Sequence, residues 1–107
     1  MCPEYQETES EILFMAELRR EFLEKTRADL PRMEEALAAG DLPGVAVIAH
    51  DIKGTAGVFG LHEMSDSGRL LQAAAQEGRG EESRRLVDRL KEQLAQALSV
   101  PPQGTDS

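Results

Sequence analysis

At 107 residues the chain has room for one domain and one core, and with aromatics at 4% and no Trp that core must be largely aliphatic, which favours packed helices over a β-sandwich. The formal net charge of −8 argues against a polyanionic partner, so neither nucleic acid nor an anionic membrane surface is expected. Cys2 is the only cysteine, which excludes an internal disulfide and a cysteine-built metal site, and no apolar run nears the ~20 residues of a bilayer span.

Residues 1–10, from Met1 to Ser10, are polar and acidic, unlike a signal peptide, and predict a flexible tail on a cytoplasmic protein. Met15, Leu18, Phe22, Thr26, Leu30, Met33 and Leu37 then recur at spacings of three and four, the mark of one apolar helix face. Leu30-Pro31 interrupts that face and predicts either a bend at Pro31 or an additional N-terminal helical segment. Gly40 suits the residue just past a helix and Asp41 the cap of the next, with Pro43 in its first turn. That second helix should run from about Leu42 to Phe59 and stop at Gly60. A third starts near Leu61 or His62 and continues to about Gln76, before Gly78-Arg79-Gly80 breaks it. In the fourth, Leu86, Val87, Leu90, Leu94, Ala97 and Leu98 form a stripe opposite Arg84, Arg85, Asp88, Lys91 and Glu92. Short connections imply antiparallel neighbours, so the expected fold is all-α: an up-down antiparallel four-helix bundle over residues 11–99, with polar tails at 1–10 and 100–107.

The second helix holds the informative segment. At about 100° per residue, Val45, Ile48, Ile52, Thr55 and Phe59 fall on one side, expected to be buried. His50, Lys53, Gly54 and Gly57 fall on the other, at i, i+3, i+4 and i+7. Each glycine inside a helix costs roughly 0.8–1 kcal/mol relative to Ala. On an exposed face core packing does not account for that cost, whereas access does: a bare backbone lets a bulky partner reach the imidazole. A neutral imidazole keeps an unprotonated ring nitrogen that can act as a nucleophile, and Lys53 can place an ammonium beside a phosphoryl group on it. Taken alone, a surface His with Lys three residues on is commonplace; the glycine pair sets this one apart.

The run Ala49-His50-Asp51-Ile52-Lys53-Gly54-Thr55-Ala56-Gly57-Val58-Phe59-Gly60 resembles the signature of the histidine-containing phosphotransfer (HPt) domain family. The resemblance implies a four-helix bundle over about Ile12 to Leu98, with His50 as phospho-acceptor and the Lys53-Gly54 pair following it at +3 and +4. It further implies reversible transfer to and from aspartates of receiver domains, with no autokinase activity. Thr55 stands where Ser or Ala is frequent in the family.

A geometric expectation follows from the turn at Gly60-Leu61. His50 lies eleven residues before Leu61 and Gln72 eleven after, so the two should stand level on neighbouring helices. Met64, Gly68, Leu71 and Ala75 form the expected buried stripe of the third helix, which leaves Gln72 at its edge. There it is either a solvated surface residue or a hydrogen-bond partner that fixes the imidazole tautomer. The resemblance favours the second role, because similar HPt domains often carry Gln at this position. Arg69, level with Lys53, reads as a surface residue. Val47 and Val58 flank the His50 face and, with Gly54 and Gly57, are candidates for a docking rim.

Other sites are weaker. His62-Glu63-Met64 lacks the second His of a zinc-protease motif, and two histidines cannot supply a His-Asp metal phosphohydrolase. No nucleotide-binding motif and no carboxylate cluster suited to Mg²⁺ are present, so no cofactor is expected in this chain and Mg²⁺ would come with the receiver. The expected role is a phospho-carrier in two-component signalling, acting as a monomer on receiver domains. A second reading is the phospho-acceptor domain of a chemotaxis-type histidine kinase, although those segments tend to carry Glu where Gln72 stands. A third is a non-catalytic helical adaptor that binds a receiver, against which His50 and Lys53 argue.

Overall fold

Thr8 starts the first helix with a capping box: its hydroxyl accepts from the Glu11 N–H at 3.1 Å, and the Glu11 carboxylate accepts from the Thr8 N–H at 3.0 Å. The computed structural model describes residues 8–99. They form four helices, α1 (Glu9–Ala38), α2 (Leu42–Val58), α3 (His62–Gln76) and α4 (Gly80–Ser99). Helix α1 thus begins two residues ahead of the expected bundle start at residue 11. The remainder of the expected tails, residues 1–7 and 100–107, lies outside the described residues.

The three connections share one reversal. The Gly60 N–H donates to Gly57 O and the Leu61 N–H to Ala56 O; the same pair of bonds recurs at Gly40-Asp41 and Gly78-Arg79. This is the Schellman motif, and it requires a left-handed backbone at the glycine. Gly40, Gly60 and Gly78 supply it with φ of 75°, 71° and 78°. Asp41 then caps α2, accepting from the Gly44 N–H at 3.0 Å. Each helix therefore doubles back on its predecessor, and α4 returns to pack against α1, closing the up-down bundle.

Leu23, Met33, Val45, Ile52, Leu71, Val87 and Leu90 are fully buried and anchor one continuous core. Phe22 and Phe59 stack with ring centroids 5.9 Å apart, tying α1 to the end of α2. Helix α1 runs unbroken through Pro31, where the missing N–H leaves one ladder bond unmade. At 30 residues it also outruns α2 and α3, with 17 and 15. Burial on α1 starts only at Phe22, so Met15, expected on the apolar face, is exposed along with Ile12, Leu13 and Phe14.

Helix α2 differs from expectation in one respect. Thr55, placed on the buried side by the spacing of large apolar residues, is exposed, while Ala46, Ala49 and Ala56 are buried. The buried face is rotated toward α3, because small residues let that helix come close and the alanines become the contact.

Candidate functional site

The close approach of α2 and α3 is set by two residues of α3. A Cβ placed on Gly68 would meet the Lys53 backbone nitrogen at 2.9 Å, the Ala49 carbonyl oxygen at 3.1 Å and the Lys53 Cα at 3.1 Å. Only a glycine lets the two backbones lie this near. One turn earlier, the Ser65 hydroxyl donates to the Lys53 carbonyl at 2.9 Å. Both contacts fall on the turn of α2 that carries His50.

One turn beyond Gly68, Gln72 sits half-buried at the edge of α3, level with His50 as the symmetric spacing about Leu61 predicts. Its Oε1 lies 3.4 Å from His50 Nδ1, at the long end of hydrogen-bond geometry. An amide oxygen only accepts, so this pairing needs the ring proton on Nδ1 and leaves Nε2 with its lone pair. His50 itself is exposed.

The surroundings of the ring are open. Gly54 has nothing within 4 Å of where a Cβ would stand, and Gly57 meets only the Ser65 hydroxyl oxygen at 3.5 Å. Val47 and Val58 are 65% and 72% exposed, apolar side chains standing in the outward sector of α2 with His50 and Gly54. Lys53 is half-buried and, among the described residues, makes no ion pair, so its ammonium is not committed to a carboxylate.

The other charged neighbours are occupied or turned away. Arg69 pairs with Asp66 at 2.9 Å, in keeping with a surface residue. Asp51, next to His50 in sequence, lines a cleft of about 390 Å³ between α1 and α2, with Glu21, Lys25 and Asp29. In that cleft Asp29 is buried but satisfied by Lys25 at 2.9 Å and Arg32 at 3.5 Å. His62 is the first residue of α3, and Glu81 and Glu82 lie in the first turn of α4, where negative charge suits the helix dipole. Among the described residues no group of three or more His, Cys, Asp or Glu side chains could hold a metal ion, and no helix is long and apolar enough to cross a membrane.

Sequence reasoning placed His50, Lys53, Gly54, Gly57 and Gln72 together, and missed what holds them there. On sequence alone Ser65 has no assigned role and Gly68 belongs to the apolar stripe of the third helix. The signal was present in the spacing Ser65, Gly68, Gln72, which puts a hydroxyl, a bare backbone and an amide along one edge of α3.

A search against family models matches the Hpt domain over residues 17–100, most of the chain. No curated protein and no solved structure matches it.

Proposed function

The chain belongs to the Hpt domain family, and we propose that His50 is its phospho-acceptor, receiving a phosphoryl group from a receiver aspartate and returning one to another. The family's general role is that of a phospho-carrier in phosphorelays through receiver domains; the residues and the chemistry of the transfer are what the proposal adds.

In the proposed step, the lone pair of His50 Nε2 attacks the phosphorus of an aspartyl phosphate, in line with the bond to the carboxyl oxygen. That bond breaks, the Asp leaves as a carboxylate, and a P–N bond forms. Nδ1 keeps its proton and directs it at Gln72 Oε1, so the positive charge developing on the ring meets an acceptor. Lys53 offset part of the phosphoryl charge, a modest term at a half-exposed position. Mg²⁺ belongs to the receiver in this scheme, and positioning supplies most of the rate. Gly54 and Gly57 clear the approach, and Val47 and Val58 serve as the apolar rim on which the receiver seats.

The observation that carries this reading is the pairing of His50 Nδ1 with Gln72 Oε1 on an otherwise open face. It is tested by incubating the protein with radiolabelled phospho-receivers and analysing the label. Acid-labile, base-stable label is expected on the wild type and none on His50→Gln. Label retained by His50→Gln sinks the assignment, and full signalling by His50→Ala would instead support a receiver-binding adaptor.

A further inference from the structure

We infer that Gly68 and Ser65 are positioning residues for the phosphotransfer, acting by fixing the distance between α2 and α3 so that Gln72 reaches His50. This role presupposes that His50 accepts the phosphoryl group, as proposed above. Its structural part concerns only the ring and its partner.

The His50–Gln72 contact spans two helices and has little slack. At 3.4 Å it is close to the limit beyond which an N–H···O pair no longer counts as a bond. Both side chains project from helical backbones, so the reach of Gln72 depends on the separation of those backbones. That separation is fixed where Gly68 abuts Lys53 N and Ala49 O. These atoms belong to the backbone of α2 and cannot swing aside as a side chain would. Adding a methyl group at Gly68 therefore forces the helices apart by a few tenths of an ångström. Gln72, one turn on, moves with α3 and loses an acceptor geometry that is already long.

Ser65 acts on the same joint from the other side. Its hydroxyl bond to the Lys53 carbonyl pulls α3 toward α2 at the turn after His50. Gly68 removes the steric obstacle and Ser65 supplies the attraction. Together they hold the seam in register around residues 49–53, and the tautomer that leaves Nε2 free follows from that register. Neither side chain touches the ring or the phosphoryl group, so their effect passes through Gln72.

The test reads the His50 ring directly, by ¹⁵N NMR of the imidazole nitrogens in the unphosphorylated protein. Wild type is expected to carry its proton on Nδ1, and Gln72→Ala to lose that preference. Gly68→Ala should reproduce the Gln72→Ala spectrum, and Ser65→Ala should shift it in the same direction by less. His62 provides a second ring in the same spectra whose signals stay put. Gly80→Ala, at a helix start with nothing within 4 Å, controls for a glycine replacement without a clash. Phosphotransfer by Gly68→Ala should fall by about tenfold, a typical scale for a small misplacement of a reacting group. The double variant Gly68→Ala/Gln72→Ala should be no slower than Gln72→Ala alone, because both changes remove one interaction.

A folded Gly68→Ala with the wild-type ring spectrum overturns the inference, as does a double variant whose loss equals the product of the two single losses. An unchanged ring in Gln72→Ala overturns it as well. If Gly68→Ala fails to fold, Ser65→Ala decides by the same spectra. Failure of wild-type His50 to take up phosphate would remove the functional reading, while the ring spectra would still report whether the seam sets the tautomer.

Discussion

Along α2 and α3 the buried residues are mostly small: Ala46, Ala49, Ala56, Ser67, Gly68, Ala74 and Ala75, with Val45, Ile52, Met64 and Leu71 reaching further in. Along α1 and α4 they are mostly large, with Phe22, Leu23, Leu30 and Met33 facing Leu86, Val87, Leu90 and Leu94. The first pair is joined by near-contact of backbones and by two hydrogen bonds, Ser65 donating to the Lys53 carbonyl and His50 Nδ1 donating to Gln72 Oε1. The second is joined by interdigitated side chains and, at the surface, by Lys91 donating to Glu34 at 2.9 Å. Large side chains bury more apolar area per residue, so each core position of α1 and α4 contributes more to stability than a small one of α2 and α3. Small ones define separation more tightly, because a backbone contact has no rotamers to adjust. The half that holds His50 is therefore built for position, and the other half for stability.

The largest effect expected from this contrast lies in the core. Leu90 is fully buried, and Leu90→Ala should cost about 2–5 kcal/mol in denaturant unfolding, while protein that remains folded still takes phosphate on His50. Loss of phosphate uptake in step with the mutation, in folded protein, would break the division of labour. A smaller effect of opposite sign is expected at Gly54. Gly54→Ala fills open space inside a helix and should raise stability by about 0.5–1 kcal/mol, yet slow transfer several-fold by obstructing the approach. Parallel unfolding curves and transfer assays check both signs, and a stabilised variant with undiminished transfer would show that the bared backbone is not an access route.

The smallest effect concerns the surface bond between α1 and α4. The hydrogen bond to Glu34, then its charge, raises the Lys91 pKa above the usual 10.5. A cation whose folded pKa is raised contributes fully below its unfolded value and loses that contribution as pH rises through the folded value. Lys91→Gln should therefore be slightly less stable than wild type at neutral pH, and the difference should vanish in strongly alkaline solution. A constant difference across that range would assign the effect to packing of the lysine stem instead.

The Asp41 cap and the glycine reversals were legible in the sequence because each depends on one residue type at one place, whereas the Thr8 capping box was not, since the polar, acidic run around it reads as a tail. Also legible were the stripe of α4 and the level placement of Gln72 with His50, since both need only the helical period and a fixed turn. The rotation of α2 was not legible. Alanines add little to an apolar stripe, and only the close approach of α3 turns Ala46, Ala49 and Ala56 into the buried face. The exposed Met15 escaped for another reason: periodicity reports that a helix has an apolar side, not how far its neighbours extend. Gly68 stands in the expected buried stripe of the third helix, and its purpose is visible only once the backbone of Lys53 stands against it.

The repeated glycine reversal also governs how the chain reaches this arrangement. With each connection closed by the same local bonds, α1–α2, α2–α3 and α3–α4 are all formed between sequence neighbours. Such pairs close short loops at little entropic cost, and chains rich in them fold fast. Among the described residues the main contact that spans the chain is that of α4 with α1, so the long-loop penalty falls chiefly on the half made of large side chains. The α2–α3 hairpin, with its histidine, can acquire its geometry before the two ends meet.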